Sequence, residues 1–352
     1  MPTGSLAPAA PGRLPERHGR LATLPDSRLT SWGPRRRARI VAFVFWGNLL
    51  CQMGIILSGG AVRLTGSGLG CSSWPNCEPG QFTPVLTTEA GIHPFVEFGN
   101  RTLTGVLGFF AIALVVVSWR WLGHKGRGFR LLSLVPLIGT GLQGLIGAFV
   151  VWLHLHPGLV SPHFLISPVL VAVATVLLVR LYEGNGPIRL VVPRPLVAVF
   201  AIMAAAGFTV LVLGTLVTGT GPHSGDAGDI ARIAFDPVVI SRFHALSVYV
   251  FCALLLVILV TLHRLPGRHQ ALTASWTLLA VTIAQGVIGY VQYLTGLPEL
   301  LVFFHLLGAA CFAAGITWVG TRLVTWQDPA EIRDHATRPS VTDTAPGAGA
   351  AR

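Results

Sequence analysis

The chain has 352 residues, 52% of them hydrophobic and only 11% charged, with a mean hydropathy of +0.66. A soluble domain carries about a quarter charged residues, so this composition argues against a soluble protein and for a polytopic membrane protein. The formal net charge of +11 does not signal nucleic acid, because the basic residues gather in the first 39 positions and in short segments between apolar runs, as the positive-inside rule describes.

In chain order, residues 1–38 are rich in Pro, Arg, Gly and Ser and read as a disordered tail. The apolar run that follows is too long for a signal peptide and lacks a clear small-residue cleavage site. Eight runs approach the roughly 20 residues a membrane span needs: 40–61, 97–119, 131–153, 163–182, 196–218, 238–262, 271–293 and 300–323. The segments RRRAR (35–39), RWLGHKGRGFR (120–130), RLYEGNGPIRLVVPRP (180–195) and HRLPGRHQ (263–270) are basic, whereas GDAGDIARIAFD (225–236) is net acidic. This alternation predicts an all-α integral membrane protein of the plasma membrane, with both termini cytoplasmic and the loop 63–96 facing outward. The polar tail from 327 to 352 again reads as disordered.

The outward loop holds Cys71 and Cys77 in GSGLGCSSWPNCEPG (66–80), with five residues between them. In an oxidising compartment such a pair can form a disulfide. Spacing leaves three readings open: a staple that shapes the loop, a working redox pair, or a metal site, although two thiols alone make a poor one. Cys51, Cys252 and Cys311 fall inside spans and read as packing residues.

The two halves of the chain resemble each other. The first span ends AVRLTGSG (61–68) and the fifth TLVTGTG (215–221). The third contains QGLIGAFVVW (143–152) and the seventh QGVIGYVQY (285–293), and twenty residues separate Gln143 from His163 as they do Gln285 from His305. Four spans per half give both halves the same orientation, which predicts two pseudo-symmetric four-helix bundles side by side. The expected organisation is a tail (1–38), a first bundle (39–185), a second bundle (186–326) and a second tail (327–352).

Of the twelve histidines, three lie within spans: His163, His244 and His305. Ionisable groups at membrane depth are costly and mark function. His244 and His305 lie at matching depth, about 9 Å below the outward surface. They can ligate one haem iron from its two faces, while each alone reads equally well as a hydrogen-bonded core residue. The repeat sets His163 opposite His305 and sets Asn100 where His244 stands. Glu97, three residues before Asn100, shares its helix face; it reads either as a catalytic carboxylate or as an interfacial residue paired with Arg101.

GGAVRLTGSGLGCSSWPNC (59–77), the Glu97-x-x-Asn100-Arg101 start of span two and the in-span histidines resemble the haem A synthase family over residues 40–323. The resemblance implies oxidation of a ring methyl of haem O to a formyl group, through two hydroxylations and loss of water from a geminal diol. It further implies that His244 and His305 are the axial ligands of a haem b cofactor in the second bundle. His163 becomes a ligand of the substrate haem in the first, Glu97 the catalytic carboxylate, and Cys71–Cys77 a disulfide. Membrane lipid, haem O synthase (the protohaem farnesyltransferase) and further copies of the chain are the partners it suggests, beside an electron donor the sequence does not identify. The family usually carries a second His where this chain has Asn100, which makes the other substrate-iron ligand an open position; His93 is the only nearby imidazole. Some relatives also carry a second cysteine pair in the loop equivalent to 219–237, which has none here. Two rival readings share the histidines: a di-haem electron-transfer protein, which has no need of Glu97, and a haem transporter, for which the spans lack broken helices at inverted positions.

Overall fold

The structure is a computed structural model that describes residues 33–86, 91–223, 225–226 and 230–326. The tails expected at 1–32 and 327–352 lie outside the described residues. Residues 34–38, expected as the end of the first tail, instead form the first turn of helix α1 (Pro34–Leu64). Proline at the first helical position is pre-set for the helix and arginine propagates it well.

The other helices are α2 (His93–Arg120), α3 (Arg127–Leu132), α4 (Leu134–Trp152), α5 (Pro157–Tyr182), α6 (Arg194–Thr220), α7 (Pro237–Arg264), α8 (His269–Leu294) and α9 (Glu299–Arg322). With α3 and α4 taken as one segment, eight helices among the described residues are long and apolar enough to cross a membrane, and the chain is a multi-pass membrane protein. The break between α3 and α4 at Ser133 has a local cause. Pro136 has no N–H to offer the carbonyl of Leu132 four residues back. In α5, Pro162 and Pro168 sit inside the helix, as transmembrane helices tolerate when neighbours re-satisfy the backbone.

Helix α1 packs against α2 and α5, and α4 against the same two, so α2 and α5 stand diagonally across from each other. In the second half α6 packs on α7, α7 on α8, α8 on α9 and α9 on α6, which sets α7 across from α9. The halves meet where α9 packs on α1 and α5, and α5 on α6. Gly60 of α1 lies directly under the side chain of Leu306, whose terminal methyl would have to shift to admit a larger residue there.

The repeat extends to the backbone. Leu155 and Leu297 both have positive φ, 57° and 63°, just after α4 and α8, a conformation branched residues rarely adopt. Each donates its N–H five residues back, to Val150 O at 2.8 Å and Gln292 O at 2.7 Å, which closes the helix end.

The halves are tied at both ends. At one end Arg63 donates to Thr218 O (2.7 Å) and His223 O (2.5 Å), and Gly68 N–H to Gly225 O (2.7 Å). At the other, strand β1 (Ile188–Leu190) between the halves pairs antiparallel with β2 (Val324–Trp326) after α9. Arg322 bridges to Glu183 at 2.7 Å beside that pair.

Candidate functional site

All the membrane-depth histidines lie toward the end of the molecule that carries Cys71 and Cys77. His244 comes from α7 and His305 from α9, and their ring centroids are 6.5 Å apart at an interplanar angle of 73°. Two metal–imidazole bonds of about 2 Å plus the ring halves behind them add up to roughly this separation. The Nδ1–H of His244 donates to Val210 O at 3.1 Å, which fixes the tautomer and leaves Nε2 with its lone pair. The His305 Nδ1 is buried with no partner among the described residues. The residues present therefore fit a bis-histidine haem.

In the first half, His163 comes from α5 and Asn100 from α2. Ser58 Oγ–H donates to Asn100 Oδ1 at 2.6 Å, and the His163 Nδ1, like that of His305, is buried without a partner among the described residues. Gln143 holds α5 in place at this level, donating to His163 O at 3.0 Å and Ser167 Oγ at 2.7 Å. Glycines face these four side chains, at positions that polarity and charge in the sequence do not mark. A Cβ on Gly147 would lie 3.7 Å from the His163 ring, on Gly214 3.3 Å from His244, on Gly289 3.4 Å from His305, and on Gly59 3.9 Å from Asn100. Each polar group is thus met by a glycine on the preceding helix. The repeated QGLIG and QGVIG held the signal for two of the four.

Cys71 and Cys77 are joined by a disulfide, and both are buried. Their loop closes over the ends of α2 and α4: Trp74 packs edge-on against Trp152, with ring centroids 6.2 Å apart. Gly70 allows the close approach, since a Cβ there would come within 2.5 Å of His93 O. His93 itself is turned to the loop, with Nδ1 2.9 Å from Ser67 Oγ.

Glu97 is 4% exposed and joins this loop to α2. Its Oε2 accepts the N–H of Cys71 at 2.8 Å and its Oε1 accepts from Arg101 at 2.5 Å. Arg101 also donates to Ser73 O at 2.8 Å and Asn76 O at 3.0 Å. The interfacial ion pair read from the i, i+4 spacing is present, and it does more than the spacing indicated: carboxylate and guanidinium together grip the disulfide loop from both ends. Cys51, Cys252 and Cys311 are free thiols, partly buried within their helices.

Residues 42–228 match the COX15-CtaA family model, described as a cytochrome oxidase assembly protein. Among curated relatives, a heme A synthase of Halalkalibacterium halodurans is 27% identical over 280 residues, which is 76% of this chain and 90% of that protein. One from Listeria monocytogenes is 26% identical over 272 residues, 74% of this chain and 88% of the relative. One from Bacillus licheniformis is 33% identical over 133 residues, 38% of this chain and 41% of its own length.

Proposed function

The chain belongs to the COX15-CtaA family of cytochrome oxidase assembly proteins, and on that premise we propose that it is a haem A synthase, an enzyme that converts haem O to haem A in the membrane. The methyl-to-formyl change is a four-electron oxidation of the substrate carbon that adds one oxygen atom, and it needs a site that holds the substrate ring, a group that takes protons, and a route for electrons. Two four-helix bundles of the plasma membrane, with the termini in the cytoplasm, divide these tasks.

In the second bundle His244 and His305 would hold haem b, which supplies one-electron transfer when bound. Val210 O and the glycines Gly214 and Gly289 set the two rings. In the first bundle His163 holds the substrate haem from α5. Asn100, whose amide is a weak iron ligand, leaves the opposite side of the substrate less tightly committed. Glu97, about one helical turn from Asn100, accepts protons at its carboxylate, while Arg101 and the Cys71 N–H fix its orientation. The disulfide loop excludes water from the mouth of this bundle.

One observation carries the reading: the same glycine-faced frame occurs four times, with imidazole at three positions and an amide, next to a buried carboxylate, at the fourth. A pure electron carrier has no use for that exception. The test is production of the protein in cells that make haem O but no haem A. Accumulation of haem A supports the proposal; unchanged haem O, with the histidine-ligated haem in place, overturns it in favour of an electron-transfer protein.

A further inference from the structure

Asn48 and Gln52 stand one turn apart on α1, 1% and 0% exposed, and none of their side-chain nitrogen or oxygen atoms has a hydrogen-bond partner among the described residues. Buried amides without partners are costly, most of all at membrane depth, and a native fold keeps them for a reason. Most of the buried residues packed around α1 are apolar, among them Val44 and Phe45 of α1, Leu114 of α2, and Val171 and Leu177 of α5.

Their position relates them to the substrate bundle. Gly59, which faces Asn100, is seven residues beyond Gln52 on nearly the same face of α1. Gln52 and Asn48 therefore lie about 10 and 16 Å below the Asn100 level, on the side away from the disulfide loop. The second half has no counterpart. Aligning α6 on the LTGSG and VTGTG segments places Ala201 and Ala205 at these positions, and aligning it on the facing glycines Gly59 and Gly214 places Met203 and Gly207. Neither choice supplies a polar side chain.

Two neutral amides in an apolar wall offer both donors and acceptors and no charge, so they suit an uncharged hydroxyl and not an ion. A porphyrin's carboxylates must stay near water, so its apolar edge points away from the loops, toward Gln52 and Asn48. On that edge haem O differs from protohaem by a hydroxyl-bearing farnesyl chain in place of a vinyl group. We propose that Asn48 and Gln52 form the subsite that recognises this hydroxyl, and so select haem O over protohaem in the first bundle. This rests on the haem A synthase reading. It explains why only one bundle carries the pair: protohaem has no hydroxyl to receive, and the bundle assigned to it lines the same positions with apolar residues.

The test measures binding, not turnover. Full-length protein that retains its histidine-ligated haem is titrated with haem O, with protohaem, and with haem O whose side-chain hydroxyl has been methylated, and the three dissociation constants are compared by absorbance. Wild type should prefer haem O over both others. Asn48→Leu and Gln52→Leu should each cut that preference by about tenfold or more, with haem b content unchanged. Leu variants that keep the wild-type preference overturn the proposal. So does a wild type that binds the methylated compound as well as haem O, because the amides would then merely hold internal water. Failure of wild type to bind any haem O in the first bundle refutes the synthase reading itself, an outcome separate from loss of selectivity.

Discussion

Replacing Glu97 by Gln keeps the side chain's shape and removes its charge, and the structure sets what that should cost. Two charge-assisted hydrogen bonds end on the carboxylate, from Cys71 N–H and from Arg101, and the side chains of Glu97 and Arg101 are only 6% and 15% exposed. Such bonds contribute about 1.5–3 kcal/mol each, against about 1 kcal/mol for a neutral one. The Gln amide oxygen still accepts, and Arg101 keeps Ser73 O and Asn76 O, so no cation is stranded. The net loss of stability should be about 1–2 kcal/mol. If the carboxylate takes protons in the reaction, turnover should fall by about 10²–10⁴, roughly 3–5 kcal/mol in the barrier. Arg101→Gln separates the two roles. It breaks the same ion pair and also weakens the grip on the loop, so it destabilises at least as much, yet it leaves the carboxylate in place. The assay is haem A formed per protein, alongside thermal unfolding and haem b content. Should Arg101→Gln cost as much turnover as Glu97→Gln at equal haem b content, Glu97 is a clamp and the catalytic assignment fails.

His163→Ala should remove haem O and haem A from the purified protein and spare haem b, whereas His305→Ala should deplete haem b and turn its low-spin spectrum high-spin; extraction of pigments from both variants checks this, and loss of the same haem from each refutes the division of tasks. Cys71→Ser and Cys77→Ser should have matching effects, since either breaks one bond, and thiol labelling of native protein without reductant should leave both cysteines unmodified. A side chain on the glycines that face the rings should act like partial loss of the histidine behind them: Gly289→Leu should lower haem b occupancy with both His244 and His305 intact, read from the ratio of haem absorbance to protein. Leu297→Gly, which relieves a positive φ, should raise thermal stability by up to about 1 kcal/mol, measured by unfolding of the detergent-solubilised protein.

The eight spans were legible because hydrocarbon imposes a length and a composition on any helix that crosses it. The repeat was legible too, and it led to Asn100 as the odd member of the four-fold set. The break at Ser133 was missed, since an apolar run shows no gap where a single proline removes one hydrogen bond. The start of α1 is hidden for the opposite reason: Arg35, Arg36 and Arg37 read as tail by composition, although arginine is a good helix former. Glu97 and Arg101 were visible as an i, i+4 pair, but their grip on Cys71, Ser73 and Asn76 depends on how the loop folds back, which spacing does not encode. Asn48 and Gln52 carry no sequence signal, because an amide in an apolar run looks like ordinary helix. Only the absence of any partner around them among the described residues sets them apart.

The order in which the chain is made gives the packing of α9 a consequence for assembly. This helix is the last of the eight spans to be synthesised, yet it covers α1 and α5, seats Leu306 on Gly60, and leads into β2, which closes on β1. At about 5–20 residues per second, the interval between the end of α5 and the arrival of α9 is on the order of ten seconds. Throughout it the later-covered face of α1 and α5 is open to lipid, and nothing yet fastens β1. The first half is thus born unfinished, and the half made last completes its wall. A nascent chain halted before α9 should stay accessible to lipid-borne crosslinkers along α1 and α5, and should become protected once α9 is released into the membrane.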